Sequence, residues 1–258
     1  MSIRFEPDGP VVLITIDRQH ARNALDPEHN AALAAAVQRF EADDDLRVAV
    51  LTGAGEVAFS AGADLKSLIP AHRDAVRAGD SPEWNFGGFT AREVSKPMIA
   101  AINGHALAGG LEMALACDIR LASPNATLGL AETKWAIIPG AGGTQRLPRC
   151  VPLGIALEMI MTGEPVTAAE AYRIGLVNRL LPLDQLRAEA LALAGQIAAR
   201  GPIAIRAARL AVLHGAGLPL AEGLIIEAEQ FLTVMRTDDA MEGATAFAQK
   251  RPPVYLGR

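Results

Sequence analysis

The sequence predicts an α/β core followed by a helical C-terminal region. In the first half, short apolar and β-branched runs alternate with helical segments, and in the second half apolar residues recur at three- and four-residue spacings. The chain has 258 residues, 50% of them hydrophobic, so it can bury a large core. We therefore interpret it as one elaborated domain, residues 1–190, with a helical extension, residues 191–258.

The first half supplies the predicted sheet. Residues 11–16 are apolar and β-branched, which predicts a strand, and Asp26 and Pro27 then supply an N-cap and a first helical residue for a helix to about Phe40. Further strands are predicted from runs so apolar that both faces should be buried. These runs are residues 48–51, 97–102 and 118–122.

The second half is predicted to be helical. Gly175 is a candidate C-cap, and Thr237 with the two aspartates after it caps a last helix that ends near Lys250. The other predicted helices cover residues 152–161, 167–174, 186–199, 202–213 and 218–236. Residues 66–92 interrupt the pattern, because Gly, Pro and charged residues without a clear period predict a loop or a short helix there.

Two glycine-rich turns carry the strongest chemical signal. Residues 59–66 read FSAGADLK and residues 103–112 read NGHALAGGLE, and an apolar run precedes each. A strand that ends in glycine and opens a helix leaves the first helical N–H groups without partners. Two such ends brought together would aim two donors at one point, as a carbonyl oxygen that becomes an oxyanion requires. Taken alone, each glycine is more simply a turn or packing residue.

A third segment makes the assignment specific. Residues 128–148 read LGLAETKWAIIPGAGGTQRLP, and with residues 22–25 (RNAL) and 247–252 (FAQKRP) the ordered motifs extend over nearly the whole chain. In this order they resemble the enoyl-CoA hydratase (crotonase) superfamily. The resemblance implies a right-handed spiral of β-β-α units, a topology that periodicity alone cannot separate from a doubly wound sheet. It also implies a C-terminal helical region that forms trimers, which can pair into hexamers.

The resemblance also implies the catalytic groups. The N–H groups of Ala63 and Gly109 would hold the thioester oxygen, Glu112 would orient and deprotonate water, and Glu132 would supply the proton to the α-carbon. Superfamily members that isomerise, decarboxylate or dehalogenate commonly lack one of these acids, whereas this chain has both. Gly140 would position the water through its backbone N–H, although packing of a tight turn explains this glycine equally well.

Substrate-binding residues follow from the same resemblance. The coenzyme A would be held by Arg22, Ala24, Ala61, Asp64, Leu65 and Lys66, with Phe247 and Lys250 reaching the nucleotide of a neighbouring subunit. Lys66 would meet phosphate as a point charge, while the alternative for any single lysine is a solvated surface charge. Three aromatic residues in the interrupted segment are interpreted as a lid that lines an acyl pocket, the alternative being a surface loop. They are Trp84, Phe86 and Phe89.

The predicted function is hydration of 2-enoyl-CoA thioesters without a further cofactor. Residues 129–134 and 136–140 especially resemble 3-methylglutaconyl-CoA hydratases, whereas residues 87–89 resemble carnitinyl-CoA dehydratase-like members, and the two hints point to different substrates. An enoyl-CoA isomerase that uses one glutamate stays open as an alternative. Some methylglutaconyl-type relatives bind RNA through a lysine-rich helix, but the corresponding stretch here, residues 73–77, is short and partly acidic.

Composition argues against several other classes. Lys and Arg total 24 against 29 Asp and Glu, a net charge of −5, which disfavours nucleic acid as a partner. No N-terminal apolar segment resembles a signal peptide and no run is long enough to cross a bilayer, so no membrane partner is expected. Cys117 and Cys150 are expected to be reduced thiols of a cytoplasmic protein. The histidines, His105 included, form no metal motif, and Ser60 lies in no nucleophile elbow.

Overall fold

The fold is built on two β-sheets. A computed structural model describes residues 3–80 and 85–258 of the chain. The strands are β1 (Ile3–Asp8), β2 (Val11–Ile16), β3 (Val48–Gly53), β4 (Ala58–Ser60), β5 (Met98–Ile102), β6 (His105–Leu107), β7 (Ile119–Ala122), β8 (Thr127–Gly129), β9 (Val166–Thr167) and β10 (Arg179–Leu180). The helices are α1 (Pro27–Ala42), α2 (Leu65–Arg77), α3 (Gly109–Ala116), α4 (Gly143–Cys150), α5 (Leu153–Thr162), α6 (Ala168–Arg173), α7 (Leu183–Ala198), α8 (Pro202–Gly215), α9 (Leu220–Met235) and α10 (Asp238–Ala248).

From β3 to β8, successive strands of the chain alternate between the two sheets. The six-stranded sheet has the order β1-β2-β3-β5-β7-β10 and the four-stranded sheet has the order β4-β6-β8-β9. Among the strands of the described residues, only β1 and β9 run antiparallel to their neighbours, β2 and β8 respectively. The chain passes from β3 to β4 and then into α2, and from β5 to β6 and then into α3. This repeated strand-strand-helix unit confirms the predicted β-β-α spiral.

Residue chemistry explains the buried sheet. Every residue of β2, β3 and β5 is buried, as expected of parallel strands covered on both faces. The strands predicted over residues 11–16, 48–51, 97–102 and 118–122 are confirmed. The predicted cap of α1 is also confirmed, because the Asp26 carboxylate accepts a hydrogen bond of 2.9 Å from the His29 N–H.

The segment predicted as a loop or short helix, residues 66–92, differs from the structure. Its first half belongs to the 13-residue helix α2, whose N-cap Asp64 accepts a hydrogen bond from the Lys66 N–H. Pro70 and the dense charges of this helix conceal its period from sequence inspection. The described remainder includes one short 3₁₀ turn, Phe86–Gly88.

The boundary predicted after residue 190 falls inside α7. Buried side chains from both halves of this helix pack on the six-stranded sheet, in a cluster that includes Val48 and Ile99. These side chains are Leu186, Ala190, Ala194 and Ala198. Because α7 packs on the sheet along its whole length, it belongs to the core, and the helical extension begins at α8.

The extension exposes many apolar side chains. Helix α9 has no buried residue, and a groove of about 580 Å³ runs between α8 and α9. The exposed apolar residues of α9 include Leu220, Leu224, Ile225, Phe231, Leu232 and Met235. Within residues 3–80 and 85–258, no helix combines the length and apolarity needed to cross a membrane.

A tight contact between β4 and α3 generates a stability prediction. A Cβ atom on Gly110 would lie 2.0 Å from the Ser60 carbonyl oxygen, whereas one on Gly195 in α7 would meet nothing within 4 Å. We expect Gly110→Ala to lower the free energy of unfolding by roughly 2–4 kcal/mol, because backbone must shift to relieve the overlap. The control Gly195→Ala should raise it by about 0.5–1 kcal/mol.

Urea unfolding followed by circular dichroism at one fixed protein concentration measures both effects. Equal stability of Gly110→Ala and wild type would contradict the close approach of these two backbones.

Candidate active site

The two glycine-rich turns meet at the end of the four-stranded sheet. Gly62 has φ +88°, and a Cβ atom there would lie 2.7 Å from the Gly109 nitrogen and 2.9 Å from the Leu107 carbonyl oxygen. Only glycine accommodates this conformation and this approach. Ala63 and Gly109 both line one cavity. The structure therefore brings together the two residues that the sequence assigns to the oxyanion hole.

The backbone N–H groups of Ala63 and Gly109 are not used in the hydrogen bonding of a sheet or of a helix interior. Ala63 forms a parallel bridge with Leu25 that uses the N–H groups of Leu25 and Asp64, each at 2.8 Å from its acceptor, and leaves the Ala63 N–H unused. Gly109 is the first residue of α3, where no preceding turn supplies an acceptor. Ala108, just before it, adopts φ 51°, an uncommon conformation for a residue with a Cβ. The turn is thus shaped to present a free donor.

Glu112 lies on the first turn of α3 and is held by two backbone donors. Glu112 is only 2% exposed, and its Oε1 accepts hydrogen bonds from the Ala141 N–H at 2.7 Å and the Gly143 N–H at 2.8 Å. Burial raises the pKa of Glu112, while these two bonds and the charge of Arg146 act in the opposite direction. Burial is the larger effect, so the pKa of Glu112 lies above its ordinary value, and the two bonds offset part of the cost of its carboxylate form.

Glu132 has different surroundings in the same cavity. It begins a 3₁₀ turn, Glu132–Trp135, is 6% exposed, and its Oε2 has no hydrogen-bond partner among the residues that the structure describes. Burial, together with the nearby Glu112 charge, raises the pKa of Glu132 to about 7. Only Glu112 has backbone donors that favour its anion, whereas Glu132 lacks a partner at Oε2 and has its pKa near neutrality, a difference suited to acid–base catalysis by two carboxyl groups.

Arg146 belongs to the candidate site, and the sequence analysis assigned it no role. Its guanidinium donates to the Ala141 carbonyl at 3.2 Å and to the Thr90 carbonyl at 2.8 Å. It also packs over Gly142, where φ is +99° and a Cβ atom would lie 2.0 Å from Nη1. Arg146 therefore fixes the turn whose N–H groups bind Glu112, and its position in the GAGGTQR run was the available signal.

The cavity has a volume of about 180 Å³ and contains both glutamates. Of the three lid aromatics, Phe86 lines it, with its ring against Gly109. Phe89 instead lies in the core near Gly87, because its ring points inward, and it is absent from the cavity wall. Trp84 lies outside the described residues. The wall also contains residues that the sequence analysis did not assign to the acyl pocket, namely Leu107, Trp135, Ile137 and Ile138.

The residues assigned to coenzyme A fall into two groups. Backbone hydrogen bonds join residues 22–25 to residues 61–64, including Ala61 N–H to the Arg22 carbonyl at 3.0 Å, and this strip borders the cavity through Ala61 and Leu65. Arg22, Ala24, Asp64 and Lys66 belong to the same strip or to the start of α2. Phe247, 87% exposed, and Lys250 lie instead at the end of α10 and do not line the cavity. Gly140 lines it.

The part of the chain that the structure describes contains no group of three or more His, Cys, Asp or Glu side chains placed to hold a metal ion. His105 hydrogen-bonds Thr127 through Nδ1 at 2.7 Å, a contact within the four-stranded sheet. Ser60 donates its hydroxyl to the Asn23 carbonyl at 2.9 Å and accepts from the Gly62 N–H. Both side chains thus have structural partners.

Fold and site together define a class of acyl-CoA enzymes, and comparison with known proteins identifies it. The sequence model of the enoyl-CoA hydratase/isomerase family matches residues 6–258, so the chain belongs to that family. It is 47% identical over 247 residues to YngF of Bacillus subtilis (strain 168), a provisionally named enoyl-CoA hydratase/isomerase, covering 96% of this chain and 95% of that one.

Two further comparisons extend over the whole chain. It is 39% identical over 257 residues to (E)-benzylidenesuccinyl-CoA hydratase of Thauera aromatica, with all of both chains covered. A crystal structure of enoyl-CoA hydratase from Bacillus anthracis superposes with a TM-score of 0.91 at 40% identity, again covering 100% of both chains.

The electrostatics of Glu132 predict how stability depends on pH. Its folded pKa, about 7, lies above its ordinary value of 4.5, so the folded state binds more protons between these values and stability falls as pH rises through them. Glu132→Gln removes this titration. We expect the variant to gain stability relative to wild type between pH 4 and pH 9, by roughly 2–3 kcal/mol.

Unfolding free energies measured across this pH range test the expectation. The exposed Glu189→Gln in α7 is the control for loss of one negative charge. Parallel stability curves for Glu132→Gln and wild type would contradict the assigned surroundings of Glu132.

Proposed function

We propose that the chain adds water across the double bond of 2-enoyl-CoA thioesters to give 3-hydroxyacyl-CoA. The observation that carries the proposal is the pair of buried glutamates with unlike hydrogen-bond surroundings in one cavity, beside two unused backbone donors. An enolate-like transition state needs donors at its oxygen and acid–base groups at its two carbons. No cofactor is required beyond the coenzyme A of the substrate.

The proposed steps assign one role to each group. The thioester oxygen accepts hydrogen bonds from the N–H groups of Ala63 and Gly109, each worth on the order of a hundredfold or more in rate. Glu112 takes a proton from water, whose oxygen bonds to C3 while the double-bond electrons move onto the thioester oxygen. Glu132 then gives its proton to C2 as the enolate collapses. Gly140 positions the water through its N–H.

Substrate binding is proposed along the strip formed by residues 22–25 and 61–66. Arg22, Ala24, Ala61, Asp64 and Leu65 would contact the coenzyme A largely through backbone, with Lys66 near phosphate. Helix N-termini and backbone turns suit such contacts because their N–H groups are already oriented. The preference for a particular acyl chain is taken up below.

Assembly is proposed to be a homotrimer, which can pair into a hexamer. Helix α9 buries none of its side chains within one chain, and the apolar groove between α8 and α9 can receive apolar side chains of a neighbouring subunit. Phe247 and Lys250 would then reach a neighbour's coenzyme A.

Two free cysteines, Cys117 and Cys150, support a cytoplasmic location.

Paired substitutions test the chemistry. Glu112→Gln and Glu132→Gln should each lower kcat for crotonyl-CoA hydration by roughly 10²–10⁴-fold, since each removes a proton-transfer group. The double variant should lose far less than the product of the two, because the acids act on one water as a unit. Glu189→Gln, on the surface of α7, serves as the matched control.

The measurement is the initial rate of crotonyl-CoA hydration, with a parallel assay of 3-enoyl-CoA isomerisation. Near-wild-type hydration by Glu132→Gln, with isomerisation that depends on one glutamate, would replace the hydratase proposal by the isomerase alternative.

Substitutions on α9 test the assembly. Leu224→Asp and Phe231→Asp should shift the sedimentation coefficient from a multimer toward a monomer, because buried charge without a partner opposes association. Val57→Asp, on an equally exposed apolar residue outside the helical extension, is the control. A fully active monomer of the wild-type chain would refute the proposed assembly.

A further inference from the structure

The position of the acyl group follows from the donors and acids of the site. If the thioester oxygen binds the N–H groups of Ala63 and Gly109, as proposed above, C2 and C3 would lie beside Glu112 and Glu132, and substituents on C3 would continue past the glutamates. The residues that follow Glu132 form the wall of the cavity on that side, since Trp135, Ile137 and Ile138 all line it. Trp135 is 66% exposed and Ile138 is 71% exposed, so a bound acyl group would cover apolar surface that otherwise contacts water.

The same wall lacks positive charge. No Lys, Arg or His is among the described residues that line the cavity, and its only ionisable side chains are those of Glu112 and Glu132. Residues 81–84, which lie outside the described part, contain no lysine, arginine or histidine in the sequence. The same holds for Ser67, Leu68, Ile69 and Ala71, the residues of α2 whose side chains are not described.

Three cationic side chains of this region are engaged elsewhere, and Lys66, at the start of α2, does not line the cavity and is the residue proposed for phosphate. Lys134, next to Trp135, forms an ion pair with Glu164 at 2.7 Å. Arg146 donates to two backbone carbonyls behind the catalytic turn. Arg18 pairs with Asp26 and Asp64, each at 3.2 Å. A free carboxylate on the acyl group would therefore lose part of its hydration beside the Glu112 carboxylate without gaining a counter-ion, which is unfavourable.

We propose that the acyl group accepted by this site is uncharged and apolar, and that Trp135, Ile137 and Ile138 select it. This inference rests on the hydratase function proposed above. It separates the chain from substrates with a free acyl carboxylate, such as the 3-methylglutaconyl group considered from the sequence. Selection arises from the missing counter-ion as much as from apolar contact, since specificity is a difference between two affinities.

A matched pair of substrates tests the inference. Glutaconyl-CoA carries a terminal carboxylate, and 5-methylhex-2-enoyl-CoA has nearly the same shape with an isopropyl group in its place. We expect kcat/KM for the charged substrate to be lower by roughly tenfold or more, the size of one uncompensated charge interaction at partly buried sites. Equal or faster hydration of glutaconyl-CoA would overturn the inference.

A second pair tests the opposite charge. The 4-trimethylammonio-but-2-enoyl thioester and its carbon isostere, 5,5-dimethylhex-2-enoyl-CoA, differ only in charge. Preference for the uncharged isostere supports the proposal, whereas preference for the cation would overturn it and assign Trp135 to cation recognition. Crotonyl-CoA is the reference in both pairs. Failure to hydrate crotonyl-CoA at all would refute the proposed function, while hydration without discrimination would refute only this inference.

Placing a cation in the wall tests the missing counter-ion directly. Ile138→Lys should raise the glutaconyl to 5-methylhexenoyl ratio of kcat/KM by roughly tenfold over the neutral control Ile138→Met. The readout is the ratio, so a general loss of activity does not mimic the effect. Trp135→Lys, at another exposed position of the wall, is the second variant if Ile138→Lys does not fold. An unchanged ratio in the folded variant would overturn the assignment of this wall.

Discussion

The close approach of two turns is the constraint on which the rest of the site depends. Gly62 lies against the Gly109 nitrogen and Gly110 lies against the Ser60 carbonyl, contacts that leave no room for a side chain at either glycine. Because each turn follows a short strand of the same sheet, parallel pairing of β4 with β6 sets their relative height. The sheet thereby places two donors side by side, and α3 carries Glu112 into the cavity from one of them. Loss of this contact would move donor and acid together.

Different hydrogen-bond surroundings give two chemically identical side chains, Glu112 and Glu132, different tendencies to hold a proton. Both glutamates are buried, and burial alone would raise the pKa of each. Glu112 recovers part of that cost through two backbone donors, whereas Glu132 has a buried oxygen without a partner in the described chain. The charge on Glu112 further favours the protonated form of Glu132. The pair therefore suits a reaction in which one acid takes a proton and the other gives one.

Local patterns in the sequence predicted the structural features that depend on neighbouring residues, such as strands and helix caps. They missed the roles that depend on contacts between residues far apart in the chain. The buried strands follow from continuous apolar runs, and the start of α1 follows from the Asp26 cap. Arg146 was missed because its role comes from Thr90, 56 residues away along the chain. Phe89 was misplaced for a similar reason, since nothing in an aromatic-rich loop tells which ring turns inward. The resemblance to a known family supplied the site residues, and spacing alone would not have done so.

Arg146 joins the two walls of the cavity that the sequence treats as separate. Its guanidinium bonds the Thr90 carbonyl, just after the segment that carries Phe86, and the Ala141 carbonyl, in the turn that binds Glu112. Phe86 in turn packs on Gly109, one of the two oxyanion residues. The aromatic segment, the oxyanion turn and the glutamate-binding turn are therefore linked by direct contacts. A change in the aromatic segment can reach Glu112 through one side chain, so the residues around residue 90 belong to the framework that holds the proposed catalytic groups rather than to an independent lid.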